Sequence, residues 1–251
     1  KFHGQVPHMA DTLIKAGFTG MEAEICMLED YYTDWQKLKD LLDEKQITFA
    51  ALAVHEDWLL PEETDGERER LDEAIEFLTH FPTAKLMLGH VAADPVREHN
   101  LYEKQVNQLK CISAIAQRAA EAGIVTVFHP NSGENSIFRY ESDYHIMFDT
   151  LYSKGIGYAP DAGHMLNGGI DPLKVIREHR DIVQHVHFKD MTPDHVWATM
   201  GEGIGDFKSI VDFLADTGYQ GWIMTEDESP DAEQDSDGVV LADGAYMKSI
   251  A

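Results

Sequence analysis

Two short stretches carry residues able to hold a metal ion or move a proton: Tyr158-Ala-Pro-Asp161-Ala-Gly-His164 and Gln184-His-Val-His187-Phe-Lys189-Asp190. Each is an apolar run that ends abruptly in polar groups. Five other apolar runs end the same way, in Glu24, His55, His90, His129 (followed by Asn131) and Glu226. Imidazoles and carboxylates at the C-terminal ends of successive strands converge only if the strands are parallel and adjacent, as in a β/α barrel, where they share one mouth. Two His with an Asp and a Glu form a borderline-hard set suited to Mn²⁺, Zn²⁺, Fe²⁺ or Co²⁺ rather than to Ca²⁺ or soft copper. Each residue also has a plainer reading. Asp161 reads as a helix cap or turn residue, His187 as a packed core histidine, and Glu226 as part of a solvated acidic rim with Asp227 and Glu228. His129 reads equally as a hydrogen-bonding neighbour, Lys189-Asp190 as an ion pair, and Glu24, His55 and His90 as ordinary surface groups.

The elements that must position these groups alternate strictly. Helices are predicted over 7–15, from an N-cap at Thr33 through Leu42, over 66–81, 102–122 and 142–154, from Asp171-Pro172 to His179, and from Asp206 to Asp216. Strands are predicted over 20–26, 47–54, 85–88, 124–128, 156–159, 182–188 and 222–225. The strands are continuously rather than alternately apolar, which marks sheets covered on both faces. An alternating βα series of this length implies a parallel α/β fold. The expected architecture is a (β/α)₈ TIM barrel forming a single domain over 1–251, with a seven-strand open sheet as the alternative. Because the chain opens on a helix, the first strand is expected upstream of Lys1. The acidic tail from Asp231 to Gly244 reads as a loop, with a short closing helix over 245–250.

Composition excludes several roles. Among 251 residues, 45 are acidic and 20 basic, a formal charge of -25. That disfavours binding to nucleic-acid phosphates or to an anionic membrane surface. Cys26 and Cys111 lack CxxC spacing, so a thiolate zinc site and a disulfide framework are not expected. No apolar run approaches the roughly 18 residues of a membrane span, and a cytoplasmic protein is expected.

From about His129 to Glu228 the chain resembles the xylose-isomerase-like TIM-barrel superfamily, which includes sugar isomerases and epimerases, inosose dehydratase and the type IV endonuclease. The resemblance rests on Asp161-Ala-Gly-His164, Gly168-Gly-Ile-Asp-Pro172, His185-Val-His187-Phe-Lys189-Asp190, Gly201-Glu-Gly203 with Asp206-Phe207, and Gly218-Tyr-Gln-Gly-Trp222 followed by Glu226. Upstream, Ala16-Gly-Phe-Thr-Gly-Met-Glu22 is similar in flavour. The resemblance implies one divalent metal ion held by residues on four consecutive strands, here His129, Asp161, His187 and Glu226. The family usually has Glu first, so His129 is a departure; inosose-dehydratase-like members resemble the chain there, with a His-rich segment at the same place. The departure leaves Glu226 as the one metal-bound glutamate of the two that epimerisation by opposed bases uses. The resemblance places His187 inward, and His185 is then expected to point outward.

The implied chemistry is that of a metal-dependent sugar isomerase or epimerase. Such an enzyme abstracts a proton next to the carbonyl of an uncharged polyhydroxy ketone or aldehyde through a metal-stabilised enediolate. The alternative is an inosose-dehydratase-like lyase, which eliminates water. Glu226 is the expected base, His164 the acid–base partner, and Lys189 a group that polarises the carbonyl. Glu24, His55, His90, Asn131 and Glu202 are expected to contact substrate. No Gly-rich phosphate cradle is evident near the last strands, so the expected partner is an uncharged carbohydrate or polyol ketone. Homo-oligomers are common among relatives.

Overall fold

In the computed structural model, which describes residues 5–90 and 96–251, the chain runs α1 (Val6–Ala16), β1 (Gly20–Glu24), α2 (Ile25–Leu28), α3 (Asp30–Thr33), α4 (Trp35–Lys45), β2 (Thr48–Glu56), α5 (Asp65–Leu78), β3 (Lys85–His90), α6 (Leu101–Glu121) and β4 (Thr126–His129). It continues through α7 (Glu141–Lys154), β5 (Gly157–Tyr158), α8 (Ala162–Asn167), α9 (Pro172–Glu178), β6 (His185–Phe188), β7 (Asp190–Met191), β8 (Trp197–Ala198), α10 (Phe207–Asp216), β9 (Trp222–Thr225) and α11 (Ser236–Ile250). The strand expected before Lys1 lies outside the described residues.

Strands β1 to β5 pair in parallel and in order. Bridges Tyr158–Val183 and Asp161–His187 carry the sheet on to β6, which pairs in parallel with β9. Strand β9 then returns beside β1, where the Trp222 ring fills the space over Gly20; a Cβ there would meet it at 2.6 Å. Among the described residues, seven parallel strands thus curl into a barrel wrapped by helices. This is a TIM-barrel fold.

Side-chain alternation sorts each strand into two faces. Leu52, Val54, Leu86, Leu88, Phe128, Val186 and Phe188 join the large core under the helices. Ala51, Ala53, Met87, Val127 and Ala159 form a separate small cluster inside the barrel. Two residues further along the inward positions come His55, Gly89, His129 and Asp161. The inner face therefore turns from apolar to ionisable at the C-terminal end of the strands. Gly89 has a spatial reason: the His55 ring lies where its Cβ would be, at 2.2 Å.

Most element ends differ from those expected by a few residues, α2, α3 and α8 are additional short helices, and three differences bear on packing. The N-cap of α4 is Asp34, which accepts from Lys37 N at 3.2 Å; Thr33 instead ends α3. The segment after β6 forms an antiparallel β7–β8 hairpin that the apolar periodicity did not announce. The tail is helical from Ser236, not from 245. Asp235 caps it by accepting from Gly238 N at 3.0 Å, and His8 contacts Asp237 at 2.9 Å, tying it to α1. Gly244, which reads as a loop signal, is where α11 crosses α1, since a Cβ there would sit 2.4 Å from the Ala16 carbonyl oxygen. Gly→Ala in a free helix gains about 1 kcal/mol. Here overpacking reverses the sign, and Gly244→Ala is expected to cost roughly 1–3 kcal/mol. Thermal unfolding checks this: a melting temperature equal to or above wild type contradicts the close packing of α11 on α1.

Candidate metal centre

Four inward residues at the strand ends meet. Ligand atoms of His129 (β4), Asp161 (after β5), His187 (β6) and Glu226 (after β9) all lie within 4.8 Å of one another. Asp161 divides its work. Its Oδ1 accepts from His164 N at 2.7 Å and caps α8, while its buried Oδ2 has no hydrogen-bond partner among the described residues. His129 Nε2 stands 3.5 Å from that Oδ2, and both its ring nitrogens are buried without a hydrogen-bond partner. Orphaned buried polar atoms are costly unless something fills the gap between them. Two imidazoles and two carboxylates around one point fit a divalent cation.

The surrounding charges are arranged for the same end. His187 lies between two carboxylates, with Nδ1 at 3.1 Å from Glu226 Oε2 and Nε2 at 3.1 Å from Glu22 Oε1. Burial alone would lower its pKa, but these carboxylates raise it to about 10. Burial likewise opposes the charge of Asp161, yet His164, His129 and the Lys189 ammonium hold its carboxyl well below the usual range. Glu226 is held low in the same way, against burial, by Lys189 and His187.

Lys189 is fully buried, with Nζ at 2.8 Å from Glu226 Oε1, 3.1 Å from Glu228 Oε1 and 3.4 Å from His164 Nε2. It also lies 5.1 Å over the Trp197 ring of the hairpin. Burial works against its charge, and Glu226, Asp161 and Glu228 more than restore it. His164 is held neutral, its pKa lowered to about 3 by burial and by Lys189. The Ser132 backbone N–H donates to His164 Nδ1 at 3.3 Å. The neutral ring thus stands between Ser132 on its Nδ1 side and the Lys189 ammonium on its Nε2 side.

The residues expected to contact substrate separate into three groups. Glu24 and His55 stand together at the mouth, with His55 Nδ1 3.7 Å from Glu24 Oε1. His90 and Asn131 do not join them. His90 has the alternation of Leu86 and Leu88, which turns it toward α6; burial and Lys104 lower its pKa to about 4. The Asn131 amide is occupied on both sides, donating to the His90 carbonyl and accepting from Ser136 Oγ. Glu202 is exposed on the Gly201–Gly205 loop. Asp190 holds that loop, accepting from Gly201, Gly203 and Gly205 N at 3.0, 2.9 and 3.1 Å, so it does not pair with Lys189.

Two residues were misread from sequence. His185 does not point outward: it is fully buried and its Nε2 contacts Glu22 Oε2 at 2.6 Å, inside the barrel. Residues two apart on a strand share a face, so His185 must follow His187. By sequence, Glu22 stands out only as part of the Ala16–Glu22 motif. The available signal was a carboxylate inside an apolar strand, on the same face as Glu24.

A parallel barrel with ionisable groups gathered at the C-terminal mouth defines a TIM-barrel protein. The chain belongs to the xylose isomerase-like TIM barrel family, whose model matches residues 10–249. It is 29% identical over 140 residues to the inosose dehydratase of Lacticaseibacillus casei, a match covering 49% of this chain and 46% of that protein. The match thus spans about half the length of that curated relative. Among solved structures, it superimposes on the 3-keto-D-glucoside 4-epimerase of E. coli with a TM-score of 0.74 at 16% identity, over 99% of this chain and 95% of the other. On the IolI protein solved with a bound zinc atom the TM-score is 0.79 at 12% identity, over 98% and 92% of the two chains. Among the described residues no helix is long and apolar enough to cross a membrane.

Proposed function

We propose that this chain, with one divalent cation held by His129, Asp161, His187 and Glu226, removes the proton next to the carbonyl of an uncharged polyhydroxy ketone and expels the neighbouring hydroxyl as water. The observation that carries the reading is the cluster itself, in which the unpartnered Asp161 Oδ2 stands 3.5 Å from the unpartnered His129 Nε2 among the described residues. The cation would supply Lewis acidity that polarises the carbonyl and acidifies the adjacent C–H. Zn²⁺ is a natural candidate given the two imidazoles and the zinc atom in the IolI protein.

Glu226 presents a carboxylate beside the Lys189 ammonium that could take the proton. It is a weak base because Lys189 neutralises it, so abstraction depends on the substrate being acidified. The ammonium of Lys189, with the His164 ring beside it, lies on the Glu226 side of the mouth and can protonate a departing hydroxyl. The opposite side has the His129 imidazole where epimerisation by opposed bases wants a second carboxylate. This arrangement, with the inosose dehydratase relative, favours elimination over the isomerase or epimerase outcome, which begins with the same deprotonation. An uncharged substrate suits the acidic mouth. The N-termini of α9 and α10 are capped by Asp171 and Asp206, accepting from Lys174 N and Ser209 N, so neither offers an anion cradle.

Incubation with keto-inositols and ketoses in D₂O, with Zn²⁺ or Mn²⁺, tests the reading. Loss of water with an enone or dione absorbance is expected. Deuterium in an isomerised or epimerised product would establish the other outcome, and no exchange with any metal would overturn both.

Metal binding should also depend on pH. In the metal-free site His187 is protonated up to about pH 10. A cation taking Nδ1 must displace that one proton, whereas Asp161 and Glu226 are already ionised at neutral pH. Apparent affinity should therefore rise about tenfold per pH unit from pH 6 to 9. Zinc titration in weakly buffered solution at pH 7.5 should release close to one proton per site, and no proton release would contradict the assignment.

A further inference from the structure

We infer that Glu22 is the positioning residue of the metal centre: it fixes which nitrogen of His187 faces the cation, and the buried His185 in turn fixes Glu22. This rests on the four-residue cluster being a cation site. Glu22 lies on β1 and reaches across the barrel interior to β6. Its carboxylate meets two imidazoles: Oε2 lies 2.6 Å from His185 Nε2 and 3.3 Å from His187 Nε2, which also stands 3.1 Å from Oε1. The other ring nitrogen of His187, Nδ1, faces Glu226 Oε2 at 3.1 Å, on the side of the cluster.

An ionised carboxylate only accepts hydrogen bonds. Both nitrogens of His187 face carboxylates, Nδ1 that of Glu226 and Nε2 that of Glu22; when a cation takes Nδ1, the one hydrogen left on the ring sits on Nε2, against Glu22. The reverse tautomer would set an Nε2 lone pair against carboxylate oxygen and cover the ligand position with a hydrogen. His185 completes the chain. It is fully buried on the same face of β6, and its one hydrogen bond keeps the Glu22 carboxylate from rotating away. A carboxylate behind a metal-ligating imidazole also raises the ligand's basicity, and losing such a partner typically costs 10–100-fold in metal affinity.

The same three groups could hold a cation of their own, since Glu22, His185 and His187 also offer ligand atoms within 4.8 Å of one another. Hydrogen bonds account for their spacing without one. The count of bound ions separates the two arrangements.

The test is zinc binding to the whole chain by chelator competition, with the number of equivalents counted, and the absorption spectrum of the Co²⁺-loaded protein. Wild type should bind one tight equivalent. Glu22→Ala should still bind one, about 10–100-fold more weakly, with altered Co²⁺ bands as the His187 ring loosens. Glu22→Gln keeps the volume and one acceptor oxygen but loses the charge. It should fall between the two, and it serves if the alanine variant fails to fold. A folded Glu22→Ala binding zinc within twofold of wild type, or a Glu22→Gln unchanged in affinity and Co²⁺ spectrum, would overturn the role of Glu22 and leave the cation site standing. Two tight equivalents in wild type, one of them lost with Glu22, would overturn it by making Glu22 a ligand. A wild-type protein that binds no zinc at all would remove the cation site, and this inference with it.

Discussion

Asp161→Asn is expected to abolish tight zinc binding while leaving the fold intact. The two carboxylate oxygens do different jobs, and the substitution separates them. Oδ1 caps α8 through His164 N at 2.7 Å, and an asparagine amide oxygen does this equally well. Oδ2 is buried with no hydrogen-bond partner, and an amide NH₂ in its place cannot ligate a cation. It would also direct a donor at His129 Nε2, which lies 3.5 Å from Oδ2 in the native chain. The loss in affinity should exceed the roughly 10–100-fold that removal of an outer hydrogen-bond partner costs. Turnover of any substrate should fall with it. Chelator competition and thermal unfolding on the same preparation decide the matter. A variant that binds zinc normally, or one that melts many degrees lower, would assign Asp161 to the fold rather than to a cation.

The second large effect is on stability and comes from Asp190. Its carboxylate gathers the Met191, Gly201, Gly203 and Gly205 backbone N–H groups, at 2.8, 3.0, 2.9 and 3.1 Å. The loop wraps so tightly around it that a Cβ on Gly203 would sit 2.2 Å from Asp190 Oδ1 and from the Met191 carbonyl oxygen. Asp190→Ala strands these donors. The loop is partly exposed, so each of its three donors should cost about 1 kcal/mol rather than the upper figure of about 3. A total of roughly 3 kcal/mol is a large share of the 5–15 kcal/mol available to a typical domain. At about 2–4 °C per kcal/mol for a chain of this size, the melting temperature should fall by about 6–12 °C. A fall of less than about 2 °C in thermal or urea unfolding would mean that the cradle contributes little.

Much of this was legible in the sequence because strand and helix signals agree along the chain. Continuous apolar runs that end in His, Asp or Glu marked both the parallel barrel and its mouth. Asp161, His187 and Glu226 stood out because each ends such a run. Three kinds of information were not local. His90 and His129 look alike as strand ends, yet alternation with Leu88 turns one toward α6, while alternation with Val127 turns the other inward. Glu22 lies in the middle of its strand, and its meaning depends on His185 and His187, far away along the chain. Gly244 resembles a loop glycine until α1 is laid beside it, where the missing side chain becomes a packing surface. Asp190 likewise reads as an ion-pair partner of Lys189 until the Gly-rich loop folds back over it.

The most direct measurement is anomalous diffraction at the zinc edge from crystals of the zinc-loaded chain. A single strong peak is expected inside the barrel mouth, about 2.0–2.2 Å from His129 and His187 nitrogens and from Asp161 Oδ2 and a Glu226 oxygen. Zinc found only on the surface, or a mouth in which His187 and Asp161 have turned apart with no ion between them, would contradict the account.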